Sequence, residues 1–244
     1  MSTLSISNEH GERLDVAHVA GEIGPPVVIG HGVTANKDRA WAVALADELV
    51  ARGRPVLRFS FSGNGASEGD FRDSCPTKET EDLGSVLDAL VGAEGRAIYV
   101  GHSMGGAVGV LRASRDARIV ALVSLAGMVD TADFARRKFG ELVPGRDVMW
   151  DKPECPLSRR FLDDMAAVGS VEELGASVEV PWLLVHGTAD TVVPIEESER
   201  IARRASGEVE LVRLEGVDHV FSGDAARTVA RVVADWLDDL GARG

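Results

Sequence analysis

Residues 99–109, YVGHSMGGAVG, place Ser103 among glycines. Strand-forming residues precede Ser103 and helix-forming residues follow it, so the serine opens a helix directly after a strand. In that setting the G-x-S-x-G pattern from Gly101 to Gly105 predicts a sharp turn with a strained backbone at the serine. The turn lifts the hydroxyl away from the sheet and towards the backbone N–H groups that open the helix. The pattern favours a serine nucleophile over a serine that only caps a helix.

A serine hydroxyl is a weak nucleophile, so this chemistry also needs a base. His219 is the candidate that we favour, because it lies in residues 215–221, a loop between the last predicted strand and the last predicted helix. That loop lies at the carboxyl end of the sheet, as Ser103 does. The other five histidines are interpreted as edge-strand residues (His10, His18), a residue directed away from Ser103 (His102), a structural residue at a strand end (His186) and a pocket residue (His31).

The base in turn needs an acid that fixes its tautomer and stabilises the imidazolium ion. Asp190 follows the predicted strand 182–186 in the segment HGTADTVVP, which puts it at the same end of the sheet. Asp218 is the weaker candidate, because adjacent side chains in an extended loop point apart. The chain order Ser103, Asp190, His219 is the order expected when the nucleophile stands on a strand-to-helix turn.

The negative oxygen of a tetrahedral intermediate needs backbone or side-chain donors. One expected donor is the backbone N–H of Met104, directly after the nucleophile. The second is expected in the loop after the predicted strand 26–30, which reads His-Gly-Val-Thr. A small His-Gly turn lets the backbone come close to a substrate, and we assign this donor to Val33.

These residues need a scaffold, and strands alternate with helices along most of the chain. The predicted strands are 4–7, 13–18, 26–30, 55–59, 97–101, 119–125, 182–186 and 209–214, and the predicted helices are 38–52, 78–91, 103–115, 195–205 and 225–240. Alternation of this kind implies parallel pairing through right-handed crossovers, with the first hairpin as an antiparallel edge. We therefore expect an α/β fold with a mostly parallel sheet of about eight strands, helices on both faces and a single domain over residues 1–244.

The alternation breaks between residues 127 and 170. Two short amphipathic helices are predicted there, over 133–142 and 156–168, separated by proline and glycine. A separate domain of this length would bury too little surface to be stable alone. We expect a short helical cap that covers one end of the sheet.

The segments HGVTANKD, RFSFSGNGASEGDF, GHSMGG, HGTADTVVP and GVDHVF together resemble those of the α/β-hydrolase superfamily. Within it, the chain is similar to small bacterial carboxylesterases of the cinnamoyl (feruloyl) esterase and serine aminopeptidase S33-like group. The resemblance implies the α/β-hydrolase fold, the triad Ser103, Asp190 and His219, and an oxyanion hole at Val33 and Met104. The chain departs from that pattern where Ser60 and Asn64 replace a usual aspartate and a common histidine.

The predicted cap contains many of the chain's few aromatic side chains, and aromatic residues are 5% of the sequence. Most of them should be packing residues, while a subset lines a substrate pocket. Arg136, Arg137 and Lys138 are interpreted as a solvated face rather than a clamp for a carboxylate. The expected pocket residues are His31, Phe134, Met149, Trp150, Phe161 and Val192.

The composition excludes several classes of partner. The net charge of −13 argues against nucleic acids and anionic membrane surfaces. The N-terminal residues do not resemble a signal peptide, and no apolar run has the length of a membrane span, so we expect a cytoplasmic protein. Cys75 and Cys155 have no metal-binding spacing and are expected to be free thiols. We expect no cofactor and no metal, a small-molecule ester as the partner, and a monomer or homodimer.

These observations favour a serine hydrolase that cleaves small carboxylic esters, with aryl or cinnamoyl esters among the candidates. A thioesterase or an amide hydrolase would use the same residues. A non-hydrolytic lyase or a ligand receptor on the same fold is a further alternative. The receptor class is disfavoured because receptors often lack one member of the triad, and all three are present here.

Overall fold

A seven-stranded, mostly parallel sheet runs through the computed structural model, which describes residues 4–243. The strands are β1 (Ile6–Ser7), β2 (Arg13–Leu14), β3 (Val16–Val19), β4 (Val27–Gly30), β5 (Val56–Phe59), β6 (Ala97–His102), β7 (Ile119–Leu125), β8 (Trp182–Gly187) and β9 (Val209–Leu214). The order in the sheet is β3-β5-β4-β6-β7-β8-β9, and β3 alone runs antiparallel to its neighbour. The expected α/β-hydrolase arrangement is confirmed.

Helices cover both faces of this sheet. They are α1 (Ala40–Ala51), α2 (Pro76–Val91), α3 (Met104–Ala113), α4 (Thr131–Phe139), α5 (Arg159–Val168), α6 (Ile195–Ala202) and α7 (Ala225–Arg243), with short 3₁₀ turns at Phe71–Asp73, Met149–Asp151 and Glu173–Ser177. Alternate residues of a strand point to opposite faces. In β4, Val27 and Ile29 pack with α1 and α7, while Val28 packs with α2 and α3. The central strands are therefore continuous apolar runs, as expected for strands buried on both faces.

The N-terminal hairpin differs from the prediction. The predicted strand 13–18 is divided into β2 and β3, and β1 pairs with β2 in a separate two-stranded sheet. The division falls at Asp15, whose backbone N–H donates to the Ser67 hydroxyl and whose carbonyl accepts from the N–H of Ser60. The described chain thus has seven strands in the main sheet and two outside it, where about eight in one sheet were expected.

The segment between β7 and β8 contains α4 and α5 near their predicted positions. Its apolar side chains form a cluster of their own, which includes Phe134, Phe139 and Phe161. The same cluster contains Met104, the residue after Ser103, and Val193, which follows β8. The segment therefore packs on the carboxyl end of the sheet, next to the predicted nucleophile.

Three further expectations concern the chain as a whole. Within residues 4–243, no helix combines the length and the apolar character needed to cross a membrane. Both cysteines, Cys75 and Cys155, are free and buried. The predicted domain extends over residues 1–244, of which 1–3 and 244 lie outside the described residues.

Candidate active site

Ser103 lies at a sharp turn between β6 and α3. Its backbone has φ 54° and ψ −119°, a strained conformation for a residue with a side chain, so the predicted strain is confirmed. The flanking glycines are required by close approach: a Cβ on Gly101 would lie 2.1 Å from the Gly105 carbonyl oxygen, and a Cβ on Gly105 would lie 2.5 Å from the His31 carbonyl oxygen. The Ser103 side chain makes no capping hydrogen bond to α3, so nothing supports the helix-capping alternative.

His219 and Asp190 meet in the loops after β9 and β8. The Nδ1 atom of His219 lies 2.7 Å from Oδ2 of Asp190. The Asp190 side chain has no solvent exposure, and its Oδ1 accepts from the backbone N–H groups of Val192 and Val193 at 2.8 and 2.9 Å. These bonds hold the carboxylate in one orientation. They also leave Nε2 as the ring nitrogen of His219 that can exchange a proton with a neighbour.

Ser103 and His219 line the same cavity. Among the described residues, no hydrogen bond joins the Ser103 hydroxyl to the His219 ring. Bonds of this kind are often long in unliganded sites and shorten only when a substrate is bound.

A second histidine, His186, also contacts the Asp190 carboxylate. His186 is fully buried, and its Nε2 lies 3.0 Å from the Val193 carbonyl oxygen and 3.2 Å from Asp190 Oδ2. Its Nδ1 lies 2.7 Å from the Ser198 hydroxyl. Burial favours the neutral acid, but hydrogen bonds from His186, His219 and backbone N–H groups outweigh it and lower the pKa of Asp190. His186 therefore has the structural role that was expected, and the residue that it stabilises is Asp190.

His102 was expected to point away from Ser103, and its ring lies against the loop that carries His219. His102 lines the same cavity as Ser103 and His219. Its Nε2 lies 2.8 Å from the His219 carbonyl oxygen, and its ring packs between those of Trp41 and His219. Burial lowers the pKa of His102 to about 3, and the charge on His219 adds to the effect. A neutral ring that bonds a carbonyl must carry its proton on Nε2, so His102 donates to the loop that holds His219.

The low pKa of His102 predicts a pH-dependent contribution to stability. The unfolded chain takes up a proton on this ring below about pH 6.5, whereas the folded chain does not until about pH 3. Acid therefore favours the unfolded state through that window, by about 2 kcal/mol at pH 5. His102→Gln keeps an N–H donor and removes the titration. The free energy of unfolding of each protein is measured by urea titration at pH 7.5 and at pH 5. The difference between the variant and the wild type should shift by about 2 kcal/mol in favour of the variant at the lower pH. A difference that stays constant across this range would contradict the assigned protonation state.

The cavity beside Ser103 has a volume of about 230 Å³. Of the expected pocket residues, Phe134, Trp150 and Val192 line it. His31, Met149 and Phe161 do not. Met149 and Phe161 are buried instead in the apolar cluster of the cap, which also contains Met104 and Val193.

His31 is a structural residue beneath the cavity. Its Nδ1 donates to the Gly32 carbonyl oxygen at 2.8 Å, and its Nε2 accepts from the N–H of Phe61 at 3.1 Å. Burial lowers the pKa of His31 to about 4, which keeps the ring neutral and fits this pair of bonds. His31 therefore fastens the loop that carries Gly32 and Val33 to the end of β5.

The two expected oxyanion donors are free. Neither the backbone N–H of Val33 nor that of Met104 donates to any acceptor in the described part of the chain. Val33 lines the cavity, and Met104 follows Ser103 at the start of α3. Free N–H groups beside a nucleophile are what a developing negative oxygen requires.

Gly32 lies against the side chain of Ser103. A Cβ at this position would lie 2.7 Å from Ser103 Cβ and 3.2 Å from its Oγ. Gly32→Ala should therefore displace the hydroxyl and lower kcat/KM of the predicted ester hydrolysis on the order of 100-fold, since a small misplacement of a reacting group has effects of this size. Steady-state kinetics with a short-chain ester checks this. An alanine variant with wild-type kcat/KM would show that Ser103 is not the reacting group.

The basic run in α4 is not simply a solvated face. Arg137 donates to the Val192 carbonyl oxygen at 3.3 Å, and Lys138 donates to the Thr191 carbonyl oxygen at 2.9 Å. Both residues thus hold the loop that carries Asp190. Arg136 pairs with Asp133 and fits the expectation of exposure.

Sequence reasoning missed several residues that line the cavity. They are Thr34, Ala35, Arg39, Lys152 and Val220. Thr34 belongs to the predicted oxyanion loop and Ala35 follows it, so their positions in the sequence could have indicated both. Arg39 and Lys152 belong to distant parts of the chain, and only the packing of the cap on the sheet brings them together.

One surface group has a metal-binding arrangement. Ligand atoms of Glu9, His10 and Glu81 lie within 4.8 Å of one another, between the N-terminal hairpin and α2. Glu9 and His10 are exposed, and exposed acidic groups of this kind are common without an ion. The cavity beside Ser103 contains none of these residues.

The chain matches the alpha/beta hydrolase family over residues 27–232 and belongs to that family. The mitochondrial palmitoyl-protein thioesterase ABHD10 of Bos taurus is 27% identical over 231 residues, which cover 88% of this chain and 74% of the relative. The structure of Est1E from Butyrivibrio proteoclasticus with ferulic acid bound aligns with a TM-score of 0.85 and 24% identity, over 97% of this chain and 98% of that chain. Mouse alpha/beta hydrolase domain-containing protein 10 aligns with a TM-score of 0.79 and 22% identity, over 98% and 100% of the two chains. The resemblance drawn from the sequence motifs is confirmed.

Proposed function

We propose that this chain is a serine hydrolase that cleaves small carboxylic esters, with Ser103, His219 and Asp190 as its catalytic triad. The observation that carries the proposal is a single arrangement. Ser103 stands on a strained turn at the start of α3 and shares a cavity with His219, whose Nδ1 lies 2.7 Å from the buried Asp190 carboxylate. Membership of a hydrolase family supports the same reaction class.

The reaction then proceeds in two halves. The Ser103 hydroxyl attacks the ester carbonyl while its proton passes to Nε2 of His219. The carbonyl oxygen takes the negative charge and accepts from the N–H groups of Val33 and Met104. His219 returns the proton to the alcohol as the C–O bond breaks, which leaves an acyl group on Ser103. Water then gives its proton to His219 and attacks the acyl group, and the acid departs as Ser103 regains its proton.

The cavity favours a short acyl or alcohol group. Its volume of about 230 Å³ is below the ~300–1,000 Å³ of pockets that enclose drug-sized ligands. Phe134, Trp150 and Val192 supply apolar walls, in keeping with an alkyl or aryl group beside the ester.

The test is a graded panel of p-nitrophenyl esters from acetate to palmitate, with methyl ferulate added. We expect turnover to be greatest for short acyl groups and to disappear in Ser103→Ala. Absence of turnover by folded wild-type protein across the panel would reject an ester hydrolase of this class.

A thioesterase is the second candidate, because relatives at 27–28% identity are named palmitoyl-protein thioesterases. The same triad would act on a thioester, with a thiol as the leaving group. Acetyl and palmitoyl thioesters run beside the matching oxygen esters separate the two activities. Faster turnover of a palmitoyl thioester than of any short ester would favour this second function.

A further inference from the structure

The cavity beside Ser103 has an unusual charge distribution. Arg39 and Lys152 line it, and no aspartate or glutamate is among its lining residues. The whole chain has 39 acidic and 26 basic residues and a net charge of −13. Two cations without an acid in the cavity of such an acidic protein need a physical explanation.

Arg39 is the first of these two cations, and no described carboxylate neutralises it. It is half-buried and stands at the N-terminus of α1, whose first turn contains no acidic residue and whose cap has no side-chain hydrogen bond. Within residues 4–243, no carboxylate lies within ion-pairing distance of its guanidinium group. Other sheltered arginines are paired: Arg54 with Asp238 at 2.8 Å, and Arg118 with Asp116 at 2.8 Å.

In the described part of the chain, the partner of the Lys152 ammonium group is the neutral Thr34. Its Nζ donates to the carbonyl oxygen of Thr34 at 3.0 Å and lies 3.4 Å from the Thr34 hydroxyl. Thr34 follows Val33, the proposed oxyanion donor, and has a positive φ of 57°. Lys152 therefore joins the cap to the oxyanion loop, and its positive charge remains uncompensated beside the reaction centre.

A half-buried guanidinium group without an anion is poorly stabilised, because it has lost part of its hydration and gained no partner. A carboxylate matches the planar donors of arginine in a two-point hydrogen bond, and a nearby ammonium group adds a second attraction. A carboxylate on a substrate has the charge and the acceptors that both cations lack.

We propose that the preferred substrates are esters that carry a carboxylate in addition to the ester group, and that Arg39 and Lys152 bind that carboxylate. The inference rests on the proposed ester hydrolysis and names its substrate class. Arg39 and Lys152 are specificity residues in this scheme, since they contact the substrate away from the bond that breaks.

Two pairs of esters of matched shape test the preference. In 4-acetoxybenzoate and 4-acetoxybenzamide the variable group lies on the alcohol side. In methyl 4-carboxybenzoate and methyl 4-carbamoylbenzoate it lies on the acyl side. We expect wild-type kcat/KM to be at least about tenfold higher for the carboxylate than for the amide in one of the pairs, which also identifies the side that Arg39 contacts. Equal or lower values for the carboxylate in both pairs would overturn the inference.

Variants assign the preference to the two cations. Arg39→Gln should lower the carboxylate-to-amide ratio about tenfold, Lys152→Gln should lower it to a smaller extent, and Arg39→Lys should retain part of it. Arg231→Gln makes the same charge change at an exposed position in α7 and should leave the ratio at the wild-type value. A ratio in Arg39→Gln equal to that of the wild type would overturn the assignment to Arg39.

A binding experiment separates this inference from the proposed function. Boronic acids form a tetrahedral adduct with an active serine and need no turnover. We expect 4-carboxyphenylboronic acid to bind wild-type protein more tightly than 4-carbamoylphenylboronic acid, and Arg39→Gln to remove the difference. If no ester is cleaved but this difference is present, the ester hydrolase proposal fails and the anion preference stands. If esters are cleaved and both boronic acids bind equally, the anion preference fails alone.

Discussion

Ser103→Ala is expected to lower kcat/KM for ester hydrolysis by a factor on the order of 10⁵, because removal of the nucleophile from a triad removes its concerted action. The residual rate would come from the free N–H groups of Val33 and Met104 and from substrate binding. The fold should be unaffected, since the hydroxyl makes no capping bond and alanine tolerates the same φ of 54° no worse than serine. Steady-state kinetics measures the loss of turnover, and thermal unfolding checks the fold. Covalent labelling by a fluorophosphonate should be lost together with turnover.

Ser114→Ala is a matched control at the other end of α3. The Ser114 hydroxyl bonds the Leu111 carbonyl oxygen at 3.2 Å, far along the helix from the nucleophile. This variant should keep wild-type turnover and labelling. If Ser103→Ala retains turnover, or if the fluorophosphonate still labels it at a single site, another residue is the nucleophile.

The elements of the fold could be predicted because their signals are local. Residues 119–125 form a nearly continuous apolar run that begins after Arg118, and residues 209–214 form a mixed run between Glu208 and Glu215. Strands β7 and β9 occupy these same residues. The alternation of such runs with amphipathic helices leaves few topologies, since parallel crossovers share one hand. The turn at Ser103 was predictable for a similar reason, because the glycines around it are adjacent in sequence.

Features that depend on tertiary contacts were not predictable. The break between β2 and β3 at Asp15 arises from hydrogen bonds to Ser60 and Ser67, and no local sequence pattern predicts it. The bond from His102 to the His219 carbonyl oxygen is of the same kind, because it joins residues 117 positions apart in the chain.

The residues that line the pocket also depend on tertiary contacts. The aromatic and sulfur side chains of the cap are all of types that line pockets. Their order in the sequence does not show which of them face the sheet. Trp150 reaches the cavity because it has a left-handed backbone, with φ 54° and ψ 34°, inside a turn that was not predicted. Met149, its neighbour, is buried in the cap instead. Which of these residues line the cavity is therefore decided by the local backbone of the cap and by how the cap packs on the sheet.

Asp190→Asn is expected to lower kcat on the order of 10⁴-fold, and His219→Ala to lower it further. The hydrogen bonds around Asp190 explain the first effect. The Oδ1 atom accepts from two backbone N–H groups, so the amide oxygen of an asparagine must take that position. Its NH₂ group then faces His219 and His186, both of which now donate to Oδ2.

An NH₂ group in that position forces Nδ1 of His219 to accept, which places the ring proton on Nε2. That nitrogen can then no longer take the proton of Ser103, so the ring is present but in the wrong tautomer. His219→Ala removes the base altogether and should be the more damaging change. Asp218→Asn is the matched control, because Asp218 bonds the N–H of Ser222 and not the ring of its neighbour His219. Steady-state kinetics of the three variants gives the order, and a larger loss for Asp218→Asn than for Asp190→Asn would identify Asp218 as the acid.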